Sequence, residues 1–204
     1  MARVVVVPQE FHYVAYDAGR IREIASKVAD GVGFAADDQI TVEVDERTFF
    51  GRSRVLSLDP LHVQFESGAF EDAKRPRHLS ETGTTESLGV VLFRALDRRR
   101  PEFAEAPPDE QLTLAQRVAW DAWSCGRCAK RGWEVSKPRR HYHFRARHGF
   151  SDAADAAFEK LWLAESLTWN ELEQLSRRLL EPPEAALQAA GSGGAGATPP
   201  QDDS

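Results

Sequence analysis

The chain has 204 residues, of which 42% are hydrophobic, and a formal net charge of −6 at pH 7. This composition excludes a wholly disordered protein. No apolar run approaches the about 18–20 residues of a membrane span, and residues 1–8 hold too short an apolar run for a signal peptide. Because two cysteines three positions apart cannot staple a secreted fold, the sequence predicts a cytoplasmic protein without membrane association. Arginine outnumbers lysine by 21 to 5, a bias typical of GC-rich bacterial genomes.

Residues 1–100 predict an α+β lobe. A helix is expected to begin after Asp17 as N-cap and to end at Gly31, since its apolar residues recur on one helical face. The later helix is expected from about Glu86 to the basic triplet that ends at Arg100. Where apolar residues cluster or alternate, strands are expected at 4–7, 40–45, 53–58 and 61–65. A further extended piece is expected at 11–16. The resulting β-α-β-β order predicts a small mixed or antiparallel sheet packed with helices.

The second half predicts helices. Residues 101–108, which end in two prolines, are expected to link the lobe to a helical region over 109–184. We expect Asp109 to cap the first helix of this region and Ser151 to precede another. Thr168 and Glu171 have the spacing of a capping box at the start of the last helix. Residues 185–204, rich in glycine and other small residues, are expected to form a disordered tail.

The strongest positive charge lies in residues 127–148, which carry eight basic side chains against Glu134 alone. Aromatic residues are interleaved with these cations, a pattern typical of surfaces that neutralise phosphates and stack on bases. If residues 139–147 were extended, alternate side chains would gather on one basic face. The sequence therefore predicts an anion-binding segment that uses Arg139, Arg140, His141, Tyr142, His143, Arg145 and Arg147, with Trp133 nearby.

A metal site is the alternative for the same region. Cys125 and Cys128 have the C-x2-C spacing with which two thiolates reach one tetrahedral zinc ion. His143 and His148 are the preferred imidazole ligands, with His141 as a substitute. The intervals between the cysteines and the histidines depart from those of a two-Cys, two-His finger, and the nearby cations would repel a divalent ion. Both thiols can equally be small apolar residues at the end of a helix.

Other sites have weaker support in the sequence. A redox role for the cysteines is disfavoured, because a helix C-terminus does not stabilise a thiolate. No protease, hydrolase or phosphate-binding motif occurs, and the acidic residues around 37–46 are expected to be a solvated face. Internal pairing of the basic segment with the acidic blocks on either side is also an open interpretation.

The sequence therefore predicts a non-catalytic binding or adaptor protein. Its basic and aromatic segment, residues 127–148, is expected to engage an anionic partner, either a nucleic acid or an acidic protein surface. A zinc-stabilised module is the first alternative and an enzyme of unrecognised type is the second. The sequence does not indicate the oligomeric state.

Overall fold

The computed structural model describes residues 2–178, and its N-terminal part is built around a four-stranded sheet. The strands are β1 (Arg3–Val7), β2 (Gln39–Asp45), β3 (Ser53–Leu58) and β4 (Leu61–Glu66). Their order is β1-β2-β4-β3, in which β1, β2 and β4 are parallel and β3 pairs antiparallel with β4. The predicted α+β class and mixed sheet are confirmed.

Alternation along the strands decides which face of the sheet is buried. In β2, Ile40, Val42 and Val44 are buried, whereas the residues between them are only partly covered. The buried face packs with α1 (Ala18–Val32) and α2 (Glu81–Arg98), whose apolar residues join the same core. The sheet therefore has one covered face and one face directed to solvent.

The first helix confirms one predicted end and corrects the other. Asp17 caps α1, since its carboxylate accepts a hydrogen bond from the backbone N–H of Arg20 at 2.9 Å. The helix continues past Gly31 and ends at Val32. It ends there because Gly33 adopts a left-handed conformation with φ of 112°, which is typical of a helix C-terminus.

The segment before α2 forms a second, smaller sheet. A two-stranded antiparallel sheet forms from β5 (Glu71–Asp72) and β6 (Arg75–Leu79). Helix α2 then begins at Glu81, five residues earlier than predicted, because the Ser80 hydroxyl caps it by accepting from the N–H of Gly83 at 3.1 Å. Residues 11–16 do not form the predicted extended piece. They contribute only an isolated bridge between Ala15 and His78.

The helical region comprises α3 (Leu114–Lys130), α4 (Lys137–His148), α5 (Asp152–Leu163) and α6 (Trp169–Arg178). The prediction that Asp109 caps the first of these helices is wrong. Thr113 is the N-cap and forms a capping box with Gln116, while Asp109 is buried among arginines.

Two other helix starts in this region were predicted correctly. Ser151 caps α5 by accepting from the N–H of Ala154. Thr168 and Glu171 make the reciprocal hydrogen bonds of a capping box at the start of α6. These ends were predictable because each cap depends on residues within one turn.

Two clusters of buried apolar residues make up the interior. The first lies between the sheet and helices α1 and α2, and the second joins α3 to α6. Helix α2 contributes to both, with Leu88 in the first and Val90 in the second. The linker at 101–108 stays a prediction, and in the structure it contains a short 3-10 helix, Pro101–Phe103, whose phenylalanine is buried. The predicted disordered tail, 185–204, lies outside the described residues.

Membrane-spanning helices were sought along the described chain. None of the helices within residues 2–178 is both long enough and apolar enough to cross a bilayer.

Candidate functional site: helix α4 and the residues that pair with it

The basic segment is helical where the sequence prediction required it to be extended. Helix α4 covers Lys137–His148, so the predicted alternation of residues 139–147 between two faces of a strand is wrong. The local reasons are a Ser136 side chain that accepts from the N–H of Arg139, and Pro138 in the first turn, where the missing N–H costs nothing. No β-branched residue interrupts the segment, and the charges of Arg145 and Arg147 in its last turn oppose the negative end of the helix dipole.

Helix α4 buries a narrow stripe. Phe144 and His148, one turn apart, are the buried residues of the helix. Phe144 packs edge-on against Phe158 of α5 with ring centroids 5.7 Å apart, and His148 stacks on Phe144 at 4.1 Å. His148 also lies 3.4 Å from the hydroxyl of Ser176, and burial lowers the pKa of its imidazole. This histidine is therefore a neutral core residue.

Most cations of the basic segment are paired within the fold. Arg140 donates from Nε to Glu86 of α2 at 2.7 Å. Arg145 and His141 share Asp155 of α5, with His141 Nε2 2.8 Å from the carboxylate. Three further ion pairs reach carboxylates on other elements, and they are Arg127–Asp97, Lys130–Glu165 and Lys137–Glu159. Of the predicted anion-binding residues, Arg140, His141 and Arg145 thus already bind carboxylates of this chain.

A smaller basic face remains on the outer side of α4. Arg139, His143 and Arg147 are exposed and follow one another at intervals of one turn, with Tyr142 beside them at 61% exposure. We call these four residues the α4 face. Within residues 2–178, no carboxylate oxygen lies within 4.0 Å of the guanidinium nitrogens of Arg139 or Arg147. The face therefore presents two uncompensated arginine charges to solvent.

Aromatic rings adjoin the α4 face. The rings of Tyr142 and Phe150 lie 6.1 Å apart in an edge-on arrangement, and Phe150 is 65% exposed just beyond the end of the helix. Partial burial and the charges of Arg139 and Arg140 lower the pKa of His143, so its imidazole is neutral at pH 7. The surface thus combines cations with exposed aromatic area.

Trp133, the remaining predicted anion-binding residue, has a packing role. Its indole lies 6.5 Å from the ring of Phe93, measured between centroids. A Cβ added at Gly31 would meet the indole at 2.7 Å, and one added at Gly89 would meet it at 2.9 Å. The ring therefore closes over two glycines, one in α1 and one in α2.

The structure does not bring the four predicted zinc ligands together. Both thiols are buried on α3, where Cys125 Sγ lies 3.9 Å from Glu86 and Cys128 packs against Gly89. Burial raises the pKa of Cys128 to about 12 and that of Cys125 well above its usual range, so both are protonated thiols. Over residues 2–178, no group of three or more His, Cys, Asp or Glu side chains is arranged to hold a metal ion. The zinc-stabilised module stays a prediction, which elemental analysis of purified protein would test.

A buried ion cluster is the feature that the sequence interpretation missed. It consists of two networks that join α2, α3 and the segment before α3. In one, Asp109 pairs with Arg94 and Arg98, and Arg94 also pairs with Asp121; in the other, Arg127 pairs with Asp97. Asp97 accepts from Arg127 at 2.6 and 2.7 Å and from the indole N–H of Trp120 at 2.8 Å. Burial raises the pKa of Asp109, but the charges of Arg94 and Arg98 outweigh it and hold that pKa below its usual range.

One sequence signal pointed to this cluster. Residues 88–93 of α2 are apolar around the whole helix, which indicates a helix buried on more than one side. Charged residues that continue such a helix, Arg94 and Asp97, must then be buried and paired.

No protein-family model, curated protein or solved structure matches this chain.

Proposed function

We propose that this protein is a binding or adaptor protein that engages an acidic protein segment through the α4 face. One observation carries the proposal: Arg139 and Arg147 are exposed on one side of α4 and have no carboxylate within 4.0 Å among the described residues. The neighbouring cations Arg140 and Arg145 each pair with a carboxylate of this chain. A partner that supplies carboxylates would complete the pairing that the fold leaves open.

The residue types of the face favour a protein partner. Arginine and tyrosine are enriched among the residues that contribute most to protein–protein binding. Tyr142 and Phe150 add apolar area around the charges, which a protein segment can cover. Aspartate or glutamate side chains can pair with the planar guanidinium groups in a bidentate manner.

The size of the face argues against a nucleic acid. Arg139 and Arg147 are eight residues apart, so they span about 12 Å along the helix. Affinity for nucleic acid rises with the number of phosphates neutralised, and so short a stripe neutralises few of them.

The experiment measures fluorescence anisotropy with a labelled glutamate-rich peptide that contains phenylalanine. The double variant Arg139→Gln, Arg147→Gln is compared with Arg3→Gln, Arg47→Gln, which makes the same charge change at exposed arginines elsewhere. We expect the first variant to bind at least about tenfold more weakly, since two charge-assisted hydrogen-bonding groups are lost. The control should bind like the parent protein.

The two arms of the experiment separate the outcomes. Equal affinity of both double variants for the peptide would contradict the proposal. A single-stranded oligonucleotide of similar charge is titrated in parallel. Tighter binding of the oligonucleotide, lost on removal of Arg139 and Arg147, would replace the acidic protein with a nucleic acid as the partner. Salt dependence at low and physiological ionic strength reports how much of either affinity is electrostatic.

A further inference from the structure

A cavity of about 520 Å³ opens between the sheet and the helical region. Its walls come from β3 and β4, from α2 and α3, and from the segment that precedes α3. Cavities of this size commonly hold small organic molecules and occur where two parts of a fold meet. None of the α4 face residues lines this cavity, so a ligand bound here would be independent of the proposed function.

The lining holds four arginines and four carboxylates, some of which pair with one another. Arg94 is fully buried there and pairs with Asp109 at 3.2 Å and Asp121 at 2.6 Å. Arg98 adds a second cation on Asp109 at 2.6 Å. Asp109 also accepts from the backbone N–H of Val55 at 2.9 Å, so both of its oxygens accept hydrogen bonds from the chain.

Arg117 also lines the cavity and has no carboxylate of its own among the described residues. Its two terminal nitrogens donate to the backbone carbonyls of Ser53, at 3.1 Å, and Asp109. In the described part of the chain no carboxylate oxygen lies within 4.0 Å of its guanidinium. Burial and the neighbouring charge of Arg94 lower the pKa of Arg117. Arg117 is thus an arginine of the lining whose guanidinium contacts backbone carbonyls and no carboxylate among the described residues.

The rest of the lining determines what kind of anion fits. Leu112 and Leu114 supply an apolar wall beside Arg117. Arg54 also lines the cavity and donates to Gln64 at 2.6 Å. Glu66 and Glu110 line it too and would repel a doubly charged group. An arginine without a carboxylate contact, an apolar wall and the repulsion from Glu66 and Glu110 favour a singly charged anion with an apolar body over a phosphate dianion.

We propose that this cavity binds a small organic carboxylate. The carboxylate group pairs with Arg117, with Arg54 as a second cation at the opening, and the apolar body lies against Leu112 and Leu114. The guanidinium fork of arginine matches the two oxygens of a carboxylate.

The test is a titration of the ¹⁵N-labelled full chain with hexanoate, followed by NMR. Hexanamide, which has the same apolar body without the charge, and inorganic phosphate are titrated separately. We expect hexanoate to bind in the millimolar range, as such small ligands do, and to shift signals of residues at the cavity. Hexanamide should give no saturable shifts, and phosphate should bind more weakly than hexanoate.

Variants locate the site. Arg117→Gln should weaken hexanoate binding about tenfold or more, since a charge-assisted contact is lost. Because Arg117 also holds two carbonyls, its thermal unfolding is measured as well. Arg54→Gln, which changes an exposed side chain, provides a second test in protein that folds normally and should weaken binding severalfold. Arg3→Gln serves as the control and should bind like the parent protein.

Each of four results would overturn the proposal. They are the absence of saturable shifts with hexanoate, binding of hexanamide as tight as that of hexanoate, and binding of phosphate tighter than that of hexanoate. The fourth is a set of shifts confined to a different cavity, which lies beside Trp133. Unchanged hexanoate affinity in both Arg54→Gln and folded Arg117→Gln would do so as well.

Discussion

The buried ion cluster and the α4 face use the same residue type for opposite purposes. In the cluster, Arg94 and Arg127 are enclosed and contact carboxylates from other elements at 2.6 Å. On the α4 face, Arg139 and Arg147 are exposed and have no such contact among the described residues. The difference teaches that the fold divides the arginines of this chain into two groups. One group holds helices together, and a smaller group on α4 lies exposed without a carboxylate contact among the described residues.

Removal of one carboxylate from the cluster should have the largest effect. Asp97→Ala leaves Arg127 and the Trp120 N–H buried without their acceptor. We expect the free energy of unfolding to fall by about 3–5 kcal/mol, the usual cost of breaking a buried ion pair on one side. Urea denaturation at neutral pH measures it. Asp37→Ala, at an exposed aspartate, is the control and should change the value by less than about 0.5 kcal/mol. If the two variants are equally stable, the cluster does not hold the helices together.

A packing variant in the same helical region should have the next largest effect. A Cβ added at Gly126 of α3 would lie 2.1 Å from the carbonyl oxygen of Trp162 in α5, and backbone atoms cannot turn aside as a side chain can. Gly126→Ala should therefore lower the free energy of unfolding by about 1–3 kcal/mol. Gly51→Ala, whose Cβ would meet Gly68 at an ordinary 3.8 Å, is the matched control. Equal urea midpoints would show that α3 and α5 are not packed this closely.

The pH dependence of stability reports on the inner side of α4. Burial lowers the pKa of His148, with a further contribution from the charge of Arg147. The unfolded chain then binds more protons than the folded one as the pH falls below about 6.5. The stabilising contribution of the neutral His148 side chain is complete above that pH. It is lost as the pH falls towards the lower pKa that His148 has in the folded protein. The urea midpoint should therefore fall as the pH is lowered from about 7.5 to 5. In His148→Gln it should fall less. A variant that keeps the full pH dependence would assign the effect to another group.

The smallest change in stability should come from the α4 face. Arg139→Gln with Arg147→Gln removes two exposed charges that no described carboxylate contacts. The free energy of unfolding should change by less than about 0.5 kcal/mol in urea denaturation. A loss comparable to that of Asp97→Ala would mean that these arginines also belong to the fold and are not free for a partner.

Local signals in the sequence predicted much of the fold. Strand alternation around Ile40 and the caps at Asp17, Ser151 and Thr168 all lie within a few residues of what they determine. The start of α3 was predicted wrongly because two local signals competed there. Asp109 resembled an N-cap, but the capping box of Thr113 with Gln116 decides the start of α3.

The site was harder to predict because its geometry depends on distant residues. Arg140 meets Glu86, 54 positions away, and Arg127 meets Asp97, 30 positions away, and no local pattern records these partners. Helix α4 itself was predictable in part. Ser136 and Pro138 before the run and Gly149 after it are helix boundary signals, which the interpretation as an extended segment overlooked.

Chemical modification of arginine tests the division between the two regions most directly. The native protein is treated with phenylglyoxal, with and without the glutamate-rich peptide, and the modified positions are identified by mass spectrometry. Arg139 and Arg147 should react quickly and be protected by the peptide, whereas Arg94, Arg98 and Arg127 should react only after unfolding. Reaction of these buried arginines at the rate of Arg139, or failure of the peptide to protect Arg139 and Arg147, would contradict the account.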